Sequence, residues 1–130
     1  MSDKIQILKT FNDHLLEFIE DITSIFPNDK DISACKLVFS QVRKINPKLI
    51  ILTYNDYMKE YRDEIENGDI EFFINKDYKR DLPQYDARSS QVILDKIDSL
   101  REPIKYMKKD EQEKCMNYLK NLLKLCDLYN

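Results

Sequence analysis

His14 and three cysteines, Cys35, Cys115 and Cys126, are the side chains of this 130-residue chain best suited to metal binding or nucleophilic chemistry. Catalytic and structural zinc draw on several Cys, His or carboxylate ligands. Here no second histidine stands four residues from His14, and no two cysteines lie closer than eleven residues. A Cys–His pair meets only in space, so spacing leaves that pairing open. Each cysteine nevertheless falls in an apolar stripe, where a thiol loses reactivity. Acid–base catalysis needs paired carboxylates with separated pKa values in a cleft, and 24 acidic residues supply pairs by chance alone. With one glycine the chain has no phosphate-cradling loop and no Gly-x-Ser-x-Gly elbow. The expectation is a non-enzymatic protein without cofactor or metal.

Binding is the alternative chemistry. Tyr54, Tyr57 and Tyr61 form a row at helical spacing. Such a row is either an aromatic contact surface, since tyrosine gives large amphipathic area at low entropic cost, or a core face whose hydroxyls reach the rim. Phe72 and Phe73 are adjacent, and neighbours on a helix point about 100° apart, so burying both is difficult. Together with Tyr78 and the loop that follows as far as Ser90, they are the expected contact surface for a protein partner. The segment from Lys30 to Lys48 carries five basic residues against one acidic, Asp31. Its Lys36, Arg43, Lys44 and Lys48 are the candidates for weak, salt-sensitive nucleic-acid binding. Its one aromatic residue, Phe39, falls in the apolar stripe and not among the basic residues, so no ring is offered for base stacking.

The elements that would position these residues are helices. Leu8, Phe11, Leu15, Phe18, Ile22 and Ile25 recur at spacings of three and four, which predicts a first helix from about Asp3 to Phe26, stopped by Pro27. Asn28 is placed to cap a second helix with the stripe Ile32, Cys35, Val38, Phe39, Val42 and Ile45, broken at Asn46-Pro47. Pro47 suits the first turn of a third helix, predicted to reach Glu66 through Ile50, Tyr54, Tyr57, Tyr61 and Ile65. Asn67-Gly68 reads as its stop, and Asp69 as the cap of a short helix over Ile70 to Ile74, a segment apolar enough to be a strand but with no partner strand nearby. Residues Asn75 to Ser90 read as a connecting loop, which its length makes functional, mobile or partly helical. Ser89 or Ser90 then opens a helix through Ile93, Ile97, Leu100, Ile104 and Met107, which Pro103 should kink or split. Asp110 and Glu113 have the spacing of a capping box for a last helix along Cys115, Tyr118, Leu119, Leu122, Cys126 and Tyr129. No repeat and no domain boundary is visible, so the prediction is an all-α bundle of five or six helices in a single domain.

Composition narrows the setting. Net charge is −3, with 21 basic and 24 acidic residues, which disfavours a general nucleic-acid binder. An odd number of dispersed cysteines points to reduced thiols and an intracellular compartment. Met1-Ser2-Asp3-Lys4 begins a charged helix rather than a signal peptide. The longest apolar run, Leu49 to Leu52, is far short of the roughly 20 residues that cross a bilayer.

The stretches Ile65-Glu66-Asn67-Gly68-Asp69-Ile70-Glu71-Phe72-Phe73-Ile74-Asn75-Lys76-Asp77-Tyr78, Leu100-Arg101-Glu102-Pro103-Ile104 and Leu125-Cys126-Asp127-Leu128-Tyr129-Asn130 resemble small helical proteins of nucleocytoplasmic large DNA viruses. The likeness extends over most of the chain. It implies a viral origin, with a place in the host cytoplasm, the virus factory or the virion, and it transfers no functional residue. Lysine outnumbers arginine sixteen to five, and Ile, Asn, Tyr and Asp abound, as an A/T-rich genome would favour. The combined expectation is an interaction or structural protein whose partner is a viral or host protein or a second copy of the chain.

Overall fold

The computed structural model describes residues 2–58, 61–71 and 88–129, leaving aside the side chains of Ser2, Tyr57, residues 88–91 and Leu94. The protein is an all-α bundle: α1 (Ser2–Ile25), α2 (Lys30–Ile45), α3 (Pro47–Met58), α4 (Arg62–Glu66), α5 (Arg88–Ser99), α6 (Arg101–Lys105) and α7 (Lys109–Tyr129). Among the described residues there is no strand, and no helix is long and apolar enough to cross a membrane.

The organising element is α3. Ile50, Ile51, Thr53, Tyr54 and Met58 are all buried, and at 3.6 residues per turn they cover about 160° of the helix circumference. An arc that wide cannot be covered by one neighbour. Accordingly α3 packs against α1, α2, α5 and α7, and α1 has its longest contact with α7. The stripes read from the sequence supply the rest of the core: Phe11, Leu15, Phe18 and Ile22 of α1, Ile32, Cys35 and Phe39 of α2, Ile93 and Ile97 of α5, and Cys115, Leu119, Leu122 and Cys126 of α7. Phe11 meets Tyr54 edge to face at 5.5 Å, joining α1 to α3.

Helix ends follow local chemistry, and four differ from expectation. Asp29, not Asn28, caps α2: Phe26 accepts a hydrogen bond from the Asp29 amide at 3.1 Å, and this turn leaves Asp29 extended, so its carboxylate accepts from the amides of Asp31 and Ile32. The predicted third helix is two pieces, because α3 ends at Met58 and α4 begins at Arg62. On α4, the Arg62 guanidinium forks onto Asp127 of α7 at 2.8 and 2.6 Å. The last helix also starts earlier than Asp110: the Lys108 amide donates to Glu111 Oε1 at 3.0 Å, so one half of a capping box is set two residues upstream of the predicted one, and the Lys108 side chain has no acceptor to supply the other half. Finally, α5 begins at Arg88, one residue before the earlier of the two expected starts, so the end of the 75–90 stretch is helical.

Two breaks behave as predicted. Pro103 has no amide to give and its ring clashes with the carbonyl four residues back, at Ser99, which is where α5 ends. Gly68 closes α4 with φ of +73°: its amide donates to Ile65 and the next, Asp69, to Glu64, the paired bonds of a Schellman turn.

A Cβ at Gly68 would meet nothing closer than Lys120 Nζ at 3.5 Å, so substitution there is resisted by the backbone and not by crowding. Gly68→Ala should therefore cost about 1–2 kcal/mol in urea unfolding, and Gly68→Asn less, since asparagine tolerates the left-handed region. Equal stability of Gly68→Ala and wild type would contradict the assignment.

Candidate functional site

The expected contact residues separate into three groups. Phe72, Phe73 and Tyr78 lie outside the described residues, as does most of the 75–90 stretch. Tyr57 belongs to α3, but its side chain is also outside them. Tyr54 and Tyr61 are corrected: both are buried, at 1% and 5% exposure, and so belong to the core face. The Tyr54 hydroxyl points inward and donates to the Leu119 carbonyl at 3.2 Å, tying α3 to α7. Neither ring has surface to offer a partner.

The four cations proposed for nucleic acid are also split. Lys36 pairs with Glu20 at 2.9 Å and Arg43 with Asp13 at 2.6 Å, both across the α1–α2 seam. Each must leave a carboxylate before it can meet a phosphate, and the nearby acids would repel the same phosphate. Lys44 and Lys48 have no ion-pair partner among the described residues. Two isolated lysines are a poor electrostatic footprint on a chain of net charge −3.

The three cysteines are buried and held as thiols. The Cys35 thiol donates to the Lys96 carbonyl, Cys115 lies 3.5 Å from the Met107 sulfur, and Cys126 faces the Ile51 carbonyl. Burial pushes Cys35 up to about 11 and Cys115 and Cys126 up to about 12, so all three are thiols at neutral pH. His14 packs on the Tyr118 ring at 4.7 Å, away from every cysteine hydrogen bond. Among the described residues no group of three His, Cys, Asp or Glu is arranged to hold a metal ion.

The densest polar cluster joins α1 to α7. Tyr118 stacks on Phe18 at 5.0 Å and its hydroxyl donates to Asp21 at 2.6 Å. Lys114 Nζ sits 3.2 Å from the same Asp21 oxygen. The Tyr118 hydroxyl, aided by Lys114, holds the Asp21 carboxyl below its ordinary value. These residues, with Asp110, Glu111, Ile22 and Cys115, border a cleft of about 300 Å³ where α1 ends and α7 begins. A second buried polar contact was also not singled out in the sequence: Asn12 Nδ2 donates to the Pro47 carbonyl at 3.1 Å, pinning α1 to the start of α3. The signal was available, because Asn12 falls on a row with Leu8, Leu15 and Ile19 at spacings of four, three and four.

The opposite end carries what the interior does not absorb. Because α1 runs antiparallel to both α2 and α7, the start of α1, the end of α2, the start of α3 and the end of α7 meet there. Three of the four most exposed large apolar side chains among the described residues lie there: Ile45 at 85%, Ile5 at 73% and Leu128 at 66%. Lys4, Ile5, Leu8, Lys48 and Tyr129 line a groove of about 280 Å³, with Lys4 Nζ 5.5 Å from the centre of the Tyr129 ring. Three predicted stripes end here: Ile45 is exposed, while Leu8 and Tyr129 are partly buried against the edge of the core.

The chain matches no protein-family model, no curated protein and no solved structure.

Since the folded pKa of Asp21 is depressed, its hydrogen bond contributes stability above the ordinary carboxylate value of 3.8, and that contribution is lost as pH falls through the lower folded value. Tyr118→Phe should therefore melt below wild type at neutral pH, with the gap closing as pH falls under 3.8. A gap independent of pH would show that the hydroxyl does not act through Asp21.

Proposed function

We propose that this protein is a non-catalytic protein–protein interaction module that engages its partner through the end of the bundle where α1 and α3 begin and α2 and α7 end. We assign that role to the infected cell or the virion, as the sequence resemblance to large-DNA-virus proteins would imply. Single exposed apolar residues are ordinary on protein surfaces. What supports the reading is their concentration: Ile5, Ile45 and Leu128 all at one end, beside a groove lined by Leu8 and Tyr129. Leaving such side chains in water forgoes about 25 cal/mol for each Å² of apolar surface, a cost that docking removes.

Catalysis has less support. The thiols are buried and protonated, and the polar cluster around Asp21 is satisfied by Tyr118 and Lys114, its neighbours in the fold. The cluster's geometry joins two helices and leaves no base facing a reactive group.

The reading is tested by placing a photo-crosslinking amino acid at Ile45, at Leu128 and, as a control, at the exposed Leu37 midway along α2. Discrete protein adducts should form from Ile45 and Leu128 in expressing cells and not from Leu37; an adduct of twice 15.6 kDa, a second copy, counts among them. No adduct from either end position, or equal adducts from Leu37, would remove the proposal.

A further inference from the structure

The two grooves between α1 and α7 are complementary. At the end just described, Lys4 and Lys48 flank Ile5, Leu8 and Tyr129, and no carboxylate lines that groove. Neither lysine has an ion-pair partner among the described residues, whereas Lys36, Arg43, Arg62 and Lys114 are each held by a carboxylate of the same chain. At the far end the cleft has an apolar floor of Phe18, Ile22 and Cys115 and an acidic rim of Asp21, Asp110 and Glu111, with Lys114 the single cation. Lys108 and Lys109 flank the start of α7 without lining the cleft, and Asp3 does not line the basic groove. Ile5 and Asp21 are sixteen residues apart on one continuous helix, a separation of about 24 Å, so one chain cannot bring the two faces together.

We infer that the partner at the basic end is a second copy of this chain, docked head to tail, with the start of α1 of one copy seated in the acidic α1–α7 cleft of the next. This deepens the interaction reading and rests on it. Ile5, projecting at 73% exposure, is the apolar knob, and the cleft of about 300 Å³ has room for it between Phe18, Ile22 and Cys115. Lys4 and Lys48 then face Asp110, Glu111 and Asp21. A symmetric pairing of like ends would oppose lysine to lysine or carboxylate to carboxylate, and like charges so placed are destabilising. The arrangement is therefore heterologous, and it propagates until the rotation between copies closes a ring, or continues as a filament. Rim ion pairs are weak and screened by salt, and each copy carries a net charge of −3, so association needs high protein concentration and low ionic strength.

Sedimentation velocity across a concentration series reads this directly. Wild type should form species larger than a dimer at about 20 mM salt and revert to monomer at about 0.5 M, where the Debye length is only a few ångströms. Two variants reverse one face each: Lys4→Glu with Lys48→Glu, and Asp110→Lys with Ser24→Lys, the second sparing the Asp21 hydrogen bonds and the Glu111 cap. Each alone should weaken association about tenfold or more, with circular dichroism and melting confirming the fold. Mixed in equal amounts they should assemble again, because each altered face meets its complement on the other variant. A wild type that stays monomeric at low salt, a species that stops at a dimer, or a mixture that fails to recover would overturn the inference. If sedimentation shows no assembly while the crosslinks from Ile45 and Leu128 capture a different protein, the interaction reading stands without this partner.

Discussion

The structure depends on the burial of α3. A twelve-residue helix with apolar groups around nearly half its circumference is unstable alone in water, and isolated helices of that length are marginal even with favourable sequences. Four other helices are recruited to cover it, and their own stripes face inward as a result. Pro47 and Asn46 set its start, and the Asn12 amide holds α1 against that start. Tyr54 spans the remaining gap to α7 with its hydroxyl on the Leu119 carbonyl. The Asn12 Nδ2 and Tyr54 hydroxyl donors admitted to this interior each have a partner that serves packing, whereas Asn12 Oδ1 is buried without one.

This constraint shapes the chemistry available to the protein. Thiols drawn into the same core are raised in pKa by desolvation and surrounded by carbonyl and thioether groups. The carboxylates that approach the helix seams are met by Tyr118, Lys114, Lys36 or Arg43. With the seams closed in this way, unsatisfied surface is left where helices end and stripes overrun the core. This is the surface on which the proposed interaction rests, since apolar area beside unpaired lysines gains by contact.

The helical stripes were legible because burial is periodic: every stripe residue from Ile93 to Met107, and from Cys115 to Cys126, lies inside. The split near Pro103 and the stop at Gly68 were equally plain, each imposed by covalent structure. Helix starts were not. Asn28 and Asp29 are both competent caps, and the choice between them is made by how the chain turns after Phe26, a geometry that one-dimensional spacing does not contain. The same holds for Lys108 and Glu111 against Asp110 and Glu113. The tyrosine row was ambiguous for a related reason. Tyr54 and Tyr61 present the same periodicity whether a neighbour covers them or not, and α7 does the covering. The end groove was invisible because Lys4, Leu8, Lys48 and Tyr129 converge only once α1 and α7 are antiparallel.

Native-state hydrogen exchange followed residue by residue tests the central role of α3 most directly. The amides from Ile51 to Met58 should exchange only through global unfolding, at the free energy given by denaturant titration, while the first turns of α1 exchange far faster. If α3 instead exchanged on the timescale of those first turns while α1 and α7 stayed protected, the α1–α7 pair would be the true core. The account built on α3 would then be wrong.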